Sequence, residues 1–239
     1  MGFLDLIFGG GGSQLDRQCK RVQNINAQPE DREAAALFLA GDGGEQAIYG
    51  LLGRFDVRIE NAMKDANEKA FVFDLLVELG PPVLEPAILY VKRCKNLANP
   101  LRLIETLGGR EPLLLTVLEM LDEEAVREDF KPDRKRHLLV KLADYRDERV
   151  TPSAVRFLAD FDEGVRYAAA QAVIHQETDA GREELLVALA NPEEESNRVR
   201  VRIGETFAGR RWPLGEHAAA LAENPPQGFQ VRNGLLIPA

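Results

Sequence analysis

Long apolar runs are absent from this chain of 239 residues, and no stretch approaches the roughly 20 residues that span a bilayer. Integral membrane insertion is therefore not expected. The N-terminus has neither a basic leader nor a cleavable apolar core, so no export signal is expected. Only two cysteines occur, Cys19 and Cys94, and neither belongs to a C-x-x-C pair. That usage suits a reducing compartment, with the thiols buried as small apolar groups, and points to the cytoplasm. The three histidines, His137, His175 and His217, have no carboxylate or cysteine at metal-ligand spacing. Tryptophan is limited to Trp212, and aromatic residues make up 7%. A sheet core rich in aromatics is thereby disfavoured relative to helix packing. Basic residues are in deficit, with 30 Lys and Arg against 39 Asp and Glu, a formal charge of −9. Such a chain is repelled by DNA and by anionic lipid unless its cations share one face. Nucleic acid is thus not an expected partner.

What the sequence does contain is a recurring helical pattern. Phe71–Leu79, Leu101–Leu107, His137–Ala143, Tyr167–Ile174 and Val201–Ala208 all have helical apolar spacing, and their starts lie 30, 36, 30 and 34 residues apart. Arg32–Ala40 reads as an earlier copy. Partner helices are predicted at Gln46–Leu52, Leu84–Val91, Pro112–Leu121, Ser153–Ala159 and Glu183–Ala190. Breakers punctuate the array at Gly41-Asp42-Gly43-Gly44, Gly80-Pro81-Pro82, Gly108-Gly109 and Asn191-Pro192. Longer loops are expected around Phe55–Asn67 and Asp122–Lys131. A period of 30 to 40 residues is the mark of a solenoid, in which neighbouring helix pairs cover each other's apolar faces.

Asp162-Glu163-Gly164-Val165-Arg166, followed by Tyr167-Ala168-Ala169-Ala170-Gln171-Ala172-Val173, resembles the inter-helix turn and second helix of HEAT repeats. Asn197-Arg198-Val199-Arg200 with Ile203 and Phe207 resembles a second copy, with Ser196 in place of the turn aspartate. The resemblance implies an all-α fold, a right-handed α-solenoid of about six helical pairs over residues 14–222. Residues 1–13 form an apolar peptide with a glycine tether, Gly9 to Gly12. Residues 223–239 form a tail in which Asn233-Gly234, between two β-prone runs, predicts a hairpin that caps the last helices.

The expected function is a non-enzymatic scaffold or regulatory adaptor in the cytoplasm, binding a protein or peptide through the repeat surface. No catalytic residue, cofactor or metal is assigned. Arg136, Arg166 and Arg200 fall at one position of three successive repeats, with Arg134 and Arg202 beside them. They read either as a structural ladder, with Arg166 pairing to Asp162, or as a basic strip for an acidic partner segment. The acidic run Glu193-Glu194-Glu195 reads as a helix-start feature. The N-terminal residues Phe3, Leu4, Ile7 and Phe8 have three readings: a cover over the first repeat, an anchor in a partner's groove, or a peripheral membrane contact. Rival functions are a structural subunit of a permanent assembly and a HEAT-like enzyme, similar to bilin lyases or to alkyl-DNA glycosylases. The deoxyhypusine hydroxylases, another HEAT-repeat enzyme family, bind iron through His-Glu pairs that this sequence lacks.

Overall fold

The computed structural model describes residues 13–127 and 131–239. Residues Phe3, Leu4, Ile7 and Phe8 and the glycine tether lie outside them. The fold is mostly helical with a C-terminal antiparallel hairpin, as expected from the sequence. Chain contacts divide it into two compact units, with the boundary between Thr116 and Val117.

The first unit contains α1 (Gln14–Val22), α2 (Pro29–Asp42), α3 (Glu45–Leu52), α4 (Ala62–Leu79), α5 (Leu84–Val91), α6 (Ala98–Gly108) and the start of α7 (Arg110–Ala125). Local chemistry sets these boundaries. Ser13 and Asp16 form a capping box on α1, each side chain accepting from the other's backbone N–H. Pro29 opens α2, where its missing N–H costs nothing, and Gly43 closes it with a φ of 65°. Asn61 caps α4 by accepting from the Lys64 amide. Gly50 lets α3 lie close on α1, since a methyl group there would fall 2.5 Å from Cys19 Sγ. The core joins Cys19 and Val22 of α1 to Leu39, Ile48, Leu51, Leu52, Phe55, Leu76 and Ile104, all buried. Each such aliphatic or aromatic side chain stabilises the fold by roughly 1.5–3 kcal/mol on burial.

The second unit contains α8 (Pro132–Leu142), α9 (Val150–Ala154), α10 (Glu163–Ile174), α11 (Arg182–Ala190), α12 (Asn197–Arg210), α13 (Ala218–Glu223) and the hairpin β1 (Phe229–Arg232) with β2 (Leu235–Pro238). Asp162 caps α10 through the Val165 amide, and Ser196 does the same for α12 through Val199. Small residues Ala168, Ala169, Ala170 and Ala172 are buried along α10, which packs against both α8 and α12. The hairpin turn has positive φ at Asn233 and Gly234, and Leu236 is buried against the last helices. The β2 strand packs on α12, and the Leu214 amide donates to the Gly234 carbonyl, so the hairpin caps this unit. No helix among the described residues is long and apolar enough to cross a membrane.

Two elements depart from the expected pattern. α4 begins at Ala62, inside the stretch expected as loop, and runs unbroken to Leu79. The helix expected over Ser153–Ala159 is instead α9, followed by a 3-10 turn at Val155–Phe157.

Candidate functional site

The first unit gathers five charged side chains, of which Arg32, Arg54 and Asp65 are buried and Glu68 and Lys69 half-buried. Arg32 at the start of α2 forms a two-pronged pair with Glu68 of α4, Nε to Oε2 at 2.8 Å and Nη2 to Oε1 at 2.6 Å. Its Nη1 donates to the carbonyls of Asn24 and Ala27. Arg54, with only 1% of its side chain exposed, follows α3 in a 3-10 turn. It donates to Asp65 Oδ1 at 2.8 Å, to Glu68 Oε2 at 3.1 Å and to the Val57 carbonyl at 3.0 Å. Lys69 completes the set through Asp65 Oδ2 at 2.7 Å. Asp65, Glu68 and Lys69 lie on one face of α4 because their spacing of three and four residues matches the helical turn.

Electrostatics keep both carboxylates ionised. Burial pushes Glu68 up, but hydrogen bonds from Arg32 and Arg54 outweigh it and hold the group below its ordinary value. Asp65 behaves alike: burial raises it, and bonds from Lys69 and Arg54 bring it down. The guanidinium of Arg32 is raised in turn, chiefly by its bond to Glu68.

Above this network lies a cleft of about 240 Å³. Val22, Pro29, Ala36, Phe71 and Val72 supply apolar walls, and Arg32, Arg54 and Glu68 supply its charged part. Four of the five N–H donors of each arginine are already spent inside the protein. Among the described residues, Glu68 Oε1 accepts from Arg32 Nη2 alone, so it retains an acceptor site. The cleft therefore suits a compact apolar group that brings an N–H or O–H donor. Sequence reasoning passed over this site. The available signal was a charged residue at the start of one helix and another one repeat later, Arg32 and Glu68.

The five arginines singled out from the sequence lie in the second unit. Arg166 pairs with Glu194, Nε to Oε2 at 2.6 Å and Nη2 to Oε1 at 2.8 Å, and its Nη1 donates to the carbonyls of Asp160 and Phe161. Its carboxylate partner is thus Glu194 and not Asp162, whose side chain is occupied as the α10 cap. Glu194 is turned inward from the acidic run, and bonds from Arg166 and the Ser196 amide overcome burial to hold it ionised. Arg136 pairs with Asp133 one turn earlier on α8. Arg200 donates to the side chain and carbonyl of Asn224. Arg134 donates to Glu124 Oε1 at 3.0 Å, and Arg202 to Gln171 Oε1 at 2.9 Å. Each of these five arginines has an intramolecular partner. Trp212 is buried at the end of α12, edge-on to Phe207 with ring centres 5.1 Å apart, and donates to Asp179 Oδ1.

The chain matches no known family pattern and no curated protein in sequence. Among solved structures, human deoxyhypusine hydroxylase in complex with glycerol matches it at 14% identity and a TM-score of 0.30, over 89% of this chain and 90% of that one. The expectation of a non-enzymatic scaffold or adaptor is corrected by this finding, because the protein set beside the chain is an enzyme.

Proposed function

We propose that the chain is a HEAT-like enzyme of the cytoplasm that acts on a small molecule held in the cleft between Phe71 and Glu68. The observation that carries the reading is the cleft itself: apolar walls converging on a carboxylate kept ionised by two buried guanidiniums. Apolar concavities with a few convergent polar groups of shifted pKa are the usual form of an active site. An ionised Glu68 accepts a hydrogen bond from the substrate and stabilises positive charge as it develops; it is not the proton donor. A cleft of about 240 Å³ takes a single ring and excludes an open-chain tetrapyrrole, so the bilin-lyase-like form of the reading is set aside. The thiols of Cys19 and Cys94 are buried and in no disulfide among the described residues, in keeping with a reducing compartment.

The test is depletion of compounds from a small-metabolite extract, followed by mass spectrometry. The wild type is expected to consume a compound that Phe71→Trp, which fills the cleft, and Glu68→Gln both spare while their far-ultraviolet circular dichroism is unchanged. Consumption of nothing, or equal consumption by all three proteins, overturns the proposal.

A further inference from the structure

A second, more open pocket of about 660 Å³ adjoins the cleft and shares Pro29 and Arg32 with it. Its chemistry is different. Ile25, Asn26 and Ala27 line one side, and Arg58, Ile59, Glu60, Asn61 and Lys64 the other. Arg58 and Lys64 are both exposed, and neither side chain makes a hydrogen bond or an ion pair within the described residues. The contrast with the rest of the unit is informative. Arg32, Arg54 and Lys69 all lie against carboxylates, whereas these two cations line a pocket in which Glu60 is the one carboxylate among the described lining residues. Apolar walls in one pocket lead across Arg32 to an excess of positive charge in the next.

We infer that this second pocket is an anion subsite of the same cleft, and that the ligand carries a carboxylate or phosphate beyond its apolar body. The inference rests on the cleft being the ligand site and names the class of molecule it takes. Such a ligand has three parts: a donor for Glu68 Oε1, a ring or short apolar body against Phe71 and Val72, and an anionic end between Arg58 and Lys64. Steering follows from the same layout. The chain has a net charge of −9, so a local positive pocket is where an acidic metabolite is drawn in. Exposed ion pairs are individually weak, and two together are worth about fivefold in affinity at low salt.

Calorimetric titration of the full chain with para-hydroxyphenylpropionate, its neutral primary amide and para-hydroxybenzyl phosphate tests this. Either or both anions are expected to bind about fivefold more tightly than the amide, with the advantage shrinking as salt is raised. In Arg58→Ala/Lys64→Ala the anions are expected to fall to the level of the amide, which itself binds unchanged. A carboxylate preference alone, or a phosphate preference alone, identifies which anion the subsite takes. Equal binding of anions and amide to the wild type, lost in Phe71→Trp, overturns the anion subsite and leaves the cleft standing. No binding of any probe at millimolar concentration, with no thermal shift, overturns the subsite together with the cleft.

Discussion

Arg32 and Glu68 stand 36 residues apart in the chain and meet as a two-pronged ion pair. In the other unit Arg166 and Glu194, 28 residues apart, make the same contact with the same atoms. In both, an arginine in the first turns of a helix also donates from Nη1 to two carbonyls in the loop just before that helix. The guanidinium thus ties a loop, a helix start and the next repeat together. Arg166 pairs with Glu194, where the sequence pointed to Asp162.

The pair in the second unit offers the cleanest energetic test. Glu194 has 3% of its side chain exposed and Arg166 17%, so removing either leaves a buried charge without its partner. Arg166→Ala is expected to cost about 3 kcal/mol in urea unfolding, and Glu194→Ala a similar amount. The double variant should lose less than the sum, because the charge left behind is gone. Arg136→Ala serves as the contrast. Its pair with Asp133 is 49% and 87% exposed, and the expected loss is below about 0.5 kcal/mol.

Acid should expose the buried network of the first unit. Glu68 in the unfolded chain titrates near 4.5, and its folded value lies lower. The unfolded state therefore takes up more protons between the two values, so stability falls as pH drops through that interval. At neutral pH the contribution is fully present. Denaturant midpoints measured from pH 7 down to pH 3 are expected to fall more steeply for the wild type than for Glu68→Gln. The variant should be the less stable protein at pH 7, with the difference narrowing in acid. Parallel curves would show that Glu68 is not held ionised by Arg32 and Arg54.

Much of the fold was legible because turn chemistry and apolar period agreed. Leu84–Val91 forms as read, and Asn233-Gly234 takes the positive φ values of 52° and 74° that a tight hairpin turn demands. The site was not legible, and its own chemistry explains why. The first part of α4, Ala62 to Asn67, reads as loop because the inward face of this end of the helix carries Asp65, and then Glu68 and Lys69, in place of apolar residues. Hydrophobic periodicity is blind to a helix that buries charge against charge. Glu194 was hidden differently, as the middle member of an acidic run whose neighbours Glu193 and Glu195 are both exposed. Apolar spacing reports which helices exist, whereas burial of one carboxylate among three depends on an arginine contributed by the preceding repeat.

The contact between α1 and α3 makes a steric prediction at Gly50. A methyl group there would lie 2.5 Å from Cys19 Sγ and 3.2 Å from Leu39 Cδ1, closer than packed atoms allow. Gly50 has no left-handed φ, so the cost of Gly50→Ala is one of space and not of backbone conformation. Overpacking of this kind costs about 1–3 kcal/mol, less the small gain in helix propensity from alanine. Truncating the obstructing atom should relieve it. Cys19→Ala alone removes a buried sulfur and is expected to be mildly destabilising. In the Gly50→Ala background the same truncation should restore stability, so the two changes have opposite signs depending on order. Thermal unfolding of the two single variants and the double variant measures this directly. Strict additivity would mean that α1 does not rest on α3 through this sulfur.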